Sequence, residues 1–326
     1  MDAHFRRITT SELFRQAYGR YGLAAVNVFC MEQIHGLFHA AQTAEAPFII
    51  QITPAARQYA HPKMLNRMIE AAAEIYPDTV FAVHLDHGTI EHCLDAIAFQ
   101  AYSSIMIDAS HESFRENIKI TRGIVERAHD KGIPVEAELG VLSGVEDDLQ
   151  LEEAEAKFTD PDQVEEFVHR TECDSLAIAV GTSHGAYKFS EKKGIQFRIL
   201  EKIQKRLPNF PLVLHGASAV RPDEIQRINK TGGRLSQTAQ GVENEELQRA
   251  IGLGVCKVNI ATDLRLLWTR IHREFFHRHP DQIDLVAPGK QYMEEIQNLM
   301  LAKFKMLGSA GTANDFFLKP HKAKSA

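Results

Sequence analysis

The sequence predicts an α/β fold, a (β/α)8 TIM barrel with an additional C-terminal helix, and three observations carry that prediction. Eight short apolar runs recur along the chain, at residues 24–29, 48–52, 80–85, 104–107, 135–139, 175–180, 211–214 and 255–260. Between most of them lie longer stretches with helical spacing, such as Phe114, Ile118, Val125 and Ala128, or Leu200, Ile203 and Leu207. The runs are apolar without alternation, as parallel strands are when helices cover them on both sides. Eight strand–helix units over about 260 residues favour a closed barrel over an open sheet.

The remaining segments fit the same plan. Residues 141–157 are acidic and follow a strand end, with Gly140 and Gly144 as hinges, so they read as an active-site lid or a solvated acidic loop. Residues 229–244 contain Thr231-Gly232-Gly233 and read as a polar connection before the last strand, with no chemistry assigned. Residues 292–307 read as the additional helix. No repeat, Pro-rich linker or low-complexity block divides the chain, so residues 1–326 are expected to form a single barrel domain.

Composition sets limits on partners. A net charge of −6 offers no electrostatic case for binding nucleic acid or an anionic membrane. The four cysteines, Cys30, Cys93, Cys173 and Cys256, are scattered without a CxxC pair, which argues against a disulfide framework or a thiolate zinc site. Arg6-Arg7 is followed by no apolar segment of signal-peptide type, and no stretch is apolar enough to span a bilayer. The expectation is a cytoplasmic protein.

Three short motifs carry the chemistry: His84-Leu85-Asp86-His87-Gly88, Gly181-Thr182-Ser183-His184-Gly185 and Leu214-His215-Gly216. Each places a histidine, followed at once by glycine, just past an apolar run. Three neutral imidazoles with one open position suit a catalytic zinc, and the glycines let a ligand approach the backbone. Asp86, beside one histidine, is placed to move a proton at the metal. In a barrel the chemistry collects at the C-terminal strand ends. Asn27, Thr53, Asp86, His87, Asp108, Glu138, His184, His215 and Asn259 all fall at or just beyond those ends. Singly, each has a plainer explanation, as a hydrogen-bonded structural histidine or a helix cap. Their convergence on one rim favours a zinc enzyme acting on a small phosphorylated molecule. His84, three residues before His87, is as well suited to supporting a ligand as to being one.

Residues 83–88, 136–148, 181–188, 214–218 and 257–262 resemble segments of the class II, zinc-dependent ketose-bisphosphate aldolases, and the resemblance runs over residues 10–312. His-x-Asp-His-Gly, Glu-x-Glu-Leu-Gly, Gly-x-x-His-Gly-x-Tyr and His-Gly-x-Ser occur in that family's order. The long connection before Val255-Cys256-Lys257-Val258-Asn259, with the late Gly308-Ser309-Ala310-Gly311, looks most like the fructose-1,6-bisphosphate members. The resemblance implies that His87, His184 and His215 hold the zinc, and that Asp108 and Glu138 face it and serve an alternative metal position. It implies that Asp86 is the proton-transfer acid and that Glu146 exchanges a proton with the triose carbon. Gly185, Lys188, Gly216, Ser218 and Thr262 fall where the family grips a substrate phosphate. Asn259 matches a contact to the dihydroxyacetone part and Asn27 a more remote polar contact. A monovalent cation (Na+ or K+) beside the phosphate and a homo-oligomeric assembly are further implications, as are a sugar bisphosphate and triose phosphates as partners.

The implied reaction explains these residue types. Cleaving a ketose bisphosphate between C3 and C4 leaves an enediolate, whose charge a zinc Lewis acid stabilises. Asp86 accepts the C4 hydroxyl proton and Glu146 protonates the enediolate carbon. No lysine Schiff base is needed. Certain positions depart from the family pattern. Ala261 stands where many fructose-bisphosphate aldolases carry Asp or Asn and tagatose-bisphosphate aldolases often carry Ala, which makes tagatose 1,6-bisphosphate the alternative substrate. Thr53 replaces a usual Ser, Phe29 a frequent Asn and Ala217 a frequent Gly. Arg265, one helical turn past Ala261, reads equally as a contact to the second phosphate or as a surface helix residue. Metal-assisted hydrolysis is disfavoured by the lack of a two-metal His-x-His pattern. An inactive sugar-phosphate-binding protein is disfavoured because binding alone would not require both Asp86 and Glu146.

Overall fold

The structure, a computed structural model, describes residues 6–142, 144–146, 149–151, 157–182, 194–236 and 241–317. Its strands are β1 (Arg6–Arg7), β2 (Leu23–Asn27), β3 (Phe48–Ile52), β4 (Val80–Gly88), β5 (Ser104–Ile107), β6 (Val135–Leu139), β7 (Gly144–Glu146), β8 (Leu149–Leu151), β9 (Ser175–Ile178), β10 (Leu212–Leu214) and β11 (Val255–Ile260). Eight of them, β2 to β6 and β9 to β11, are parallel neighbours, and the β11–β2 and β4–β5 pairings close the ring. The (β/α)8 barrel expected from the sequence is therefore present.

The helices are α1 (Thr10–Ala17), α2 (Met31–Ala44), α3 (Pro54–Ala60), α4 (Pro62–Ile75), α5 (Ile90–Phe99), α6 (Phe114–His129), α7 (Val164–Thr171), α8 (Phe197–Arg206), α9 (Pro222–Lys230), α10 (Asn244–Gly252), α11 (Thr262–Arg278) and α12 (Val286–Leu307). The additional helix α12 packs along α2 and begins six residues before the expected start at 292. Pro288 and Gly289 lie near its start. A proline in the first turn of a helix removes only an amide that has no intrahelical partner. Val141 bridges Lys157, and β7 and β8 form an antiparallel hairpin between them.

Apolar residues are layered so that the polar ones collect at one end. Outward-facing strand residues such as Val26, Ile50, Val83, Ile105 and Leu214 join Phe38, Phe167, Leu200 and Phe304 of the helices in one large cluster. Inside the barrel, Leu23, Ala25, Ile49, Val80, Ala82 and Cys256 make an apolar floor with Leu13 and Phe14 of α1. A capping box starts α1 there: Thr9 Oγ1 accepts from the Glu12 N–H at 3.2 Å, and the Glu12 carboxylate accepts from the Thr9 N–H at 3.0 Å. Met106, Ala177 and Val213 form a second small apolar layer. Of the polar residues inside the barrel, Asn27, Asp86, His87 and Asn259 lie toward the C-terminal strand ends. Among the described residues no helix is long and apolar enough to cross a membrane.

Candidate active site

The local irregularity of β4 builds the centre of the site. Neighbouring strand residues normally point to opposite faces, so Asp86 and His87 should not both face inward. Here β4 pairs with β5 at Leu85↔Ile105 and next at Gly88↔Ile107, so β4 carries one extra residue. His87 takes the left-handed conformation, with φ 48°. This bulge turns both side chains into the barrel mouth. Gly88 is required behind it, since a Cβ would lie 2.7 Å from Leu85 Cδ2 and 2.9 Å from both Cys93 Sγ and the Met106 carbonyl.

Asp86 is fully buried and gripped by side-chain amides. Its Oδ2 accepts from Asn27 Nδ2 at 2.8 Å and Gln51 Nε2 at 3.2 Å, and its Oδ1 accepts from Asn259 Nδ2 at 3.4 Å. Gln51 Nε2 also donates to Asn27 Oδ1 at 2.8 Å, which locks the two amides together. Asn27 thus contacts the acid itself. The amide oxygen of Asn259 is buried without a hydrogen-bond partner among the described residues, a poor arrangement unless a ligand completes it.

The two described histidines of the expected metal set face each other. His87 Nε2 and His215 Nδ1 are 2.9 Å apart, and their rings are nearly perpendicular. The other nitrogen of each ring meets a carboxylate: His87 Nδ1 lies 2.8 Å from Asp108 Oδ2, and His215 Nε2 lies 2.9 Å from Glu136 Oε1. Since an ionised carboxylate only accepts, each carboxylate draws the ring proton to its own side. Two acceptor nitrogens then converge on one point, with an Asp86 oxygen also within 4.8 Å. This donor set fits zinc, whose tetrahedral nitrogen ligands sit about 3.3 Å apart for bonds of about 2.0–2.1 Å. Binding requires the rings to part by only a few tenths of an ångström.

Asp108 and Glu138 lie at the opposite edge of His87. Glu138 Oε2 is 3.9 Å from His87 Nδ1, and His87, Asp108 and Glu138 form a second group able to hold a cation. Burial works to raise the Asp108 carboxyl. Hydrogen bonds with His87 and Ser110 outweigh it and hold the group below the usual carboxylate range. Glu138 lacks that compensation: burial, then the negative charge of Asp108, pushes it well above the usual range. His84 is held well below its ordinary value by burial and then by the charge of Lys257, so it is a neutral imidazole.

The other expected residues ring the mouth. Gly216 has φ 63° and turns the chain after His215. Ser218 Oγ accepts from the Ala261 N–H at 3.3 Å, joining the β10 and β11 loops, and Thr262 opens α11 beside them. The Arg265 guanidinium lies over the Phe29 ring, 5.2 Å from its centroid, so this residue stands at the mouth. Thr53 is turned to local structure: its hydroxyl caps α3, accepting from the Ala56 N–H at 3.2 Å. His184, Gly185 and Lys188 lie outside the described residues. Glu146 ends β7, on the hairpin that follows β6, and its side chain likewise lies outside the description.

Sequence reasoning missed Gln51, Glu136 and Lys257, all buried in the barrel. Glu136 and Lys257 each lie two residues before a chosen site residue, Glu138 and Asn259, and His84 bears the same relation to Asp86. Strand periodicity puts such residues on the same inward face, one layer deeper, and a charge in the middle of an apolar run was the available signal.

The chain is similar to known proteins over nearly its whole length. The family model described as fructose-bisphosphate aldolase class-II matches residues 8–312. The fructose-bisphosphate aldolase of Giardia intestinalis is 42% identical over 302 residues, 91% of each chain. That of Thermus caldophilus is 38% identical and covers 94% of this chain and 99% of its own. Among solved structures, the YdjI aldolase from Escherichia coli K12 superposes with a TM-score of 0.74 at 28% identity, over 94% of this chain and 99% of that one.

Proposed function

The chain belongs to the class-II fructose-bisphosphate aldolase family, and from that premise we propose that it catalyses the zinc-dependent, reversible cleavage of fructose 1,6-bisphosphate to dihydroxyacetone phosphate and glyceraldehyde 3-phosphate. One observation carries the reading: a buried carboxylate held by three amides stands within 4.8 Å of two converging imidazole nitrogens. His87 and His215 would hold the metal together with His184, and zinc bound there supplies Lewis acidity to the substrate's carbonyl and hydroxyl oxygens. Asp86 takes the C4 hydroxyl proton as the C3–C4 bond breaks, which frees the aldehyde and leaves the electron pair on C3 of the triose. Asn27, Gln51 and Asn259 keep its carboxylate aimed throughout. Glu146, on the hairpin, delivers a proton to C3 and releases dihydroxyacetone phosphate, with the hairpin limiting access of water. The Asn259 oxygen, without a hydrogen-bond partner among the described residues, suits a substrate hydroxyl.

Gly185, Lys188, Gly216, Ser218 and Thr262 are assigned to one phosphate, with Na+ or K+ beside it, and Arg265 to the other. Asp108 and Glu138 are assigned a resting metal position. A homo-oligomer is supported by exposed apolar residues around the α11–α12 connection, where Ile283 is 95% and Leu285 87% accessible. A cytoplasmic location is supported by four free cysteines.

The half-reaction tests this directly. Zinc-loaded protein incubated with dihydroxyacetone phosphate in D2O, without any aldehyde, should exchange one C3 hydrogen for deuterium, read by proton NMR. Glu146→Ala should slow the exchange. A hydrolase or an inactive binding protein gives none. Tagatose 1,6-bisphosphate is the second reading, favoured by Ala261, whose methyl offers no hydrogen bond to the C4 hydroxyl by which the two sugars differ.

A further inference from the structure

Beneath the proton-transfer acid lies a layer of buried charge that the reaction above leaves unused. Lys257 is wholly buried and Glu136 nearly so. Lys257 Nζ donates to both Glu136 oxygens, at 2.9 and 2.8 Å, and lies 3.3 Å from His84 Nε2. His84 Nδ1 in turn lies 2.7 Å from Ser104 Oγ. Glu136 uses the same Oε1 to meet His215 Nε2 at 2.9 Å. A buried ion pair is rarely more stabilising than apolar side chains of the same volume. An ordinary barrel fills this layer with branched aliphatic residues. Stability is therefore a weak reason for this pair, and its contact with His215 suggests a better one.

A neutral imidazole has two tautomers, and only one leaves a lone pair at the nitrogen facing the site. In His215 that nitrogen is Nδ1, which faces His87 Nε2 at 2.9 Å and the Asn259 amide N–H2 at 3.1 Å. We propose that Glu136, locked in place by Lys257, is a positioning residue that fixes the proton of His215 on Nε2 and so presents Nδ1 to the metal. Asp108 stands in the same relation to the opposite edge of His87, but at the mouth and without a lysine behind it. The proposal rests on the reading of His215 as a metal ligand.

The double variant Glu136→Leu/Lys257→Met tests it. It removes the acceptor at His215 Nε2 together with the lysine that would otherwise be stranded, and apolar side chains fill the layer. The ring proton is then free to move to Nδ1, toward the metal site, where His87 Nε2 can accept it. Side-chain 15N NMR of the metal-free protein should show His215 protonated on Nε2 in the parent and on Nδ1 in the variant. Zinc affinity, measured by competition with a chromophoric chelator, should fall by about 10–100-fold. A parent that carries the His215 proton on Nδ1, an unchanged tautomer in the folded variant, or a variant zinc affinity within twofold of the parent overturns the proposal. Neither readout uses a sugar. A parent protein that shows the expected tautomer and zinc affinity but cleaves no sugar bisphosphate would therefore fail the functional reading alone.

Discussion

Replacing Asp86 by Asn tests proton transfer most directly, and it also removes the negative charge 4.0 Å from Lys257 Nζ. The side chain keeps its shape. Its amide oxygen can take the place of Oδ2, where Asn27 and Gln51 donate at 2.8 and 3.2 Å. The amide nitrogen then occupies the Oδ1 position and faces Asn259 Nδ2, previously a donor at 3.4 Å. One long hydrogen bond is lost, a cost of about 1 kcal/mol and a fall in Tm of a few degrees (roughly 2–4 °C). The chemical cost is much larger, because an amide cannot accept the C4 hydroxyl proton. General-base loss of about 100- to 10,000-fold corresponds to roughly 3–5 kcal/mol of transition-state stabilisation. Coupled triose-phosphate release would give kcat/KM, and zinc content would be measured on the same sample. A variant that holds its zinc and keeps more than a tenth of parental kcat/KM would refute Asp86 as the base. If activity and zinc vanish together, Asp86 acts as a metal ligand.

The remaining predictions concern packing and ionisation. Gly88→Ala places a methyl against Leu85, Cys93 and the Met106 carbonyl, so denaturant titration should show a loss of about 1–3 kcal/mol; an unchanged midpoint would contradict the bulge as the device that aims His87. Burial pushes Cys93, Cys173 and Cys256 up to about 12, and Cys30 likewise despite a neighbouring backbone hydrogen bond. Because only the thiolate reacts, a disulfide reagent at pH 8 should label the native protein very slowly and urea-unfolded protein at all four positions. These raised values also give a pH slope. Stability from the protonated thiols is whole below the unfolded value of about 8.5 and is lost as pH rises toward about 12. Thermal scans should therefore show Tm falling from about pH 9 upward, and a flat profile there would count against buried thiols as a titrating load.

The eight barrel strands were legible because a parallel strand buried on both sides reads as an unbroken apolar run, and β3, β5, β6 and β11 begin and end where those runs do. β4 runs three residues further, through Asp86, His87 and Gly88, because backbone pairing continues after the side chains turn polar. The β7–β8 hairpin was not legible, since strands of three residues are too short to show a periodic pattern. Of the candidate site, strand-end polar residues were readable one by one, and Asp86, His87, His215, Asn27 and Asn259 do meet. Thr53 shows the weakness of that signal, for the same position on a strand end serves a helix cap. Glu136 and Lys257 escaped because they are 121 residues apart and meet only when the barrel closes. Single charges inside apolar runs gave no hint of which partner would neutralise them.

The measurement that bears most directly on the central claim is triose-phosphate release from fructose 1,6-bisphosphate and, in parallel, tagatose 1,6-bisphosphate. It would be run on zinc-loaded protein before and after a strong chelator. The structure and the family predict cleavage that favours the fructose substrate, is abolished by the chelator and returns when zinc is restored. A tagatose preference would keep the chemistry and make Ala261 the first residue to examine for specificity. No release from either sugar by zinc-loaded protein would contradict the aldolase assignment.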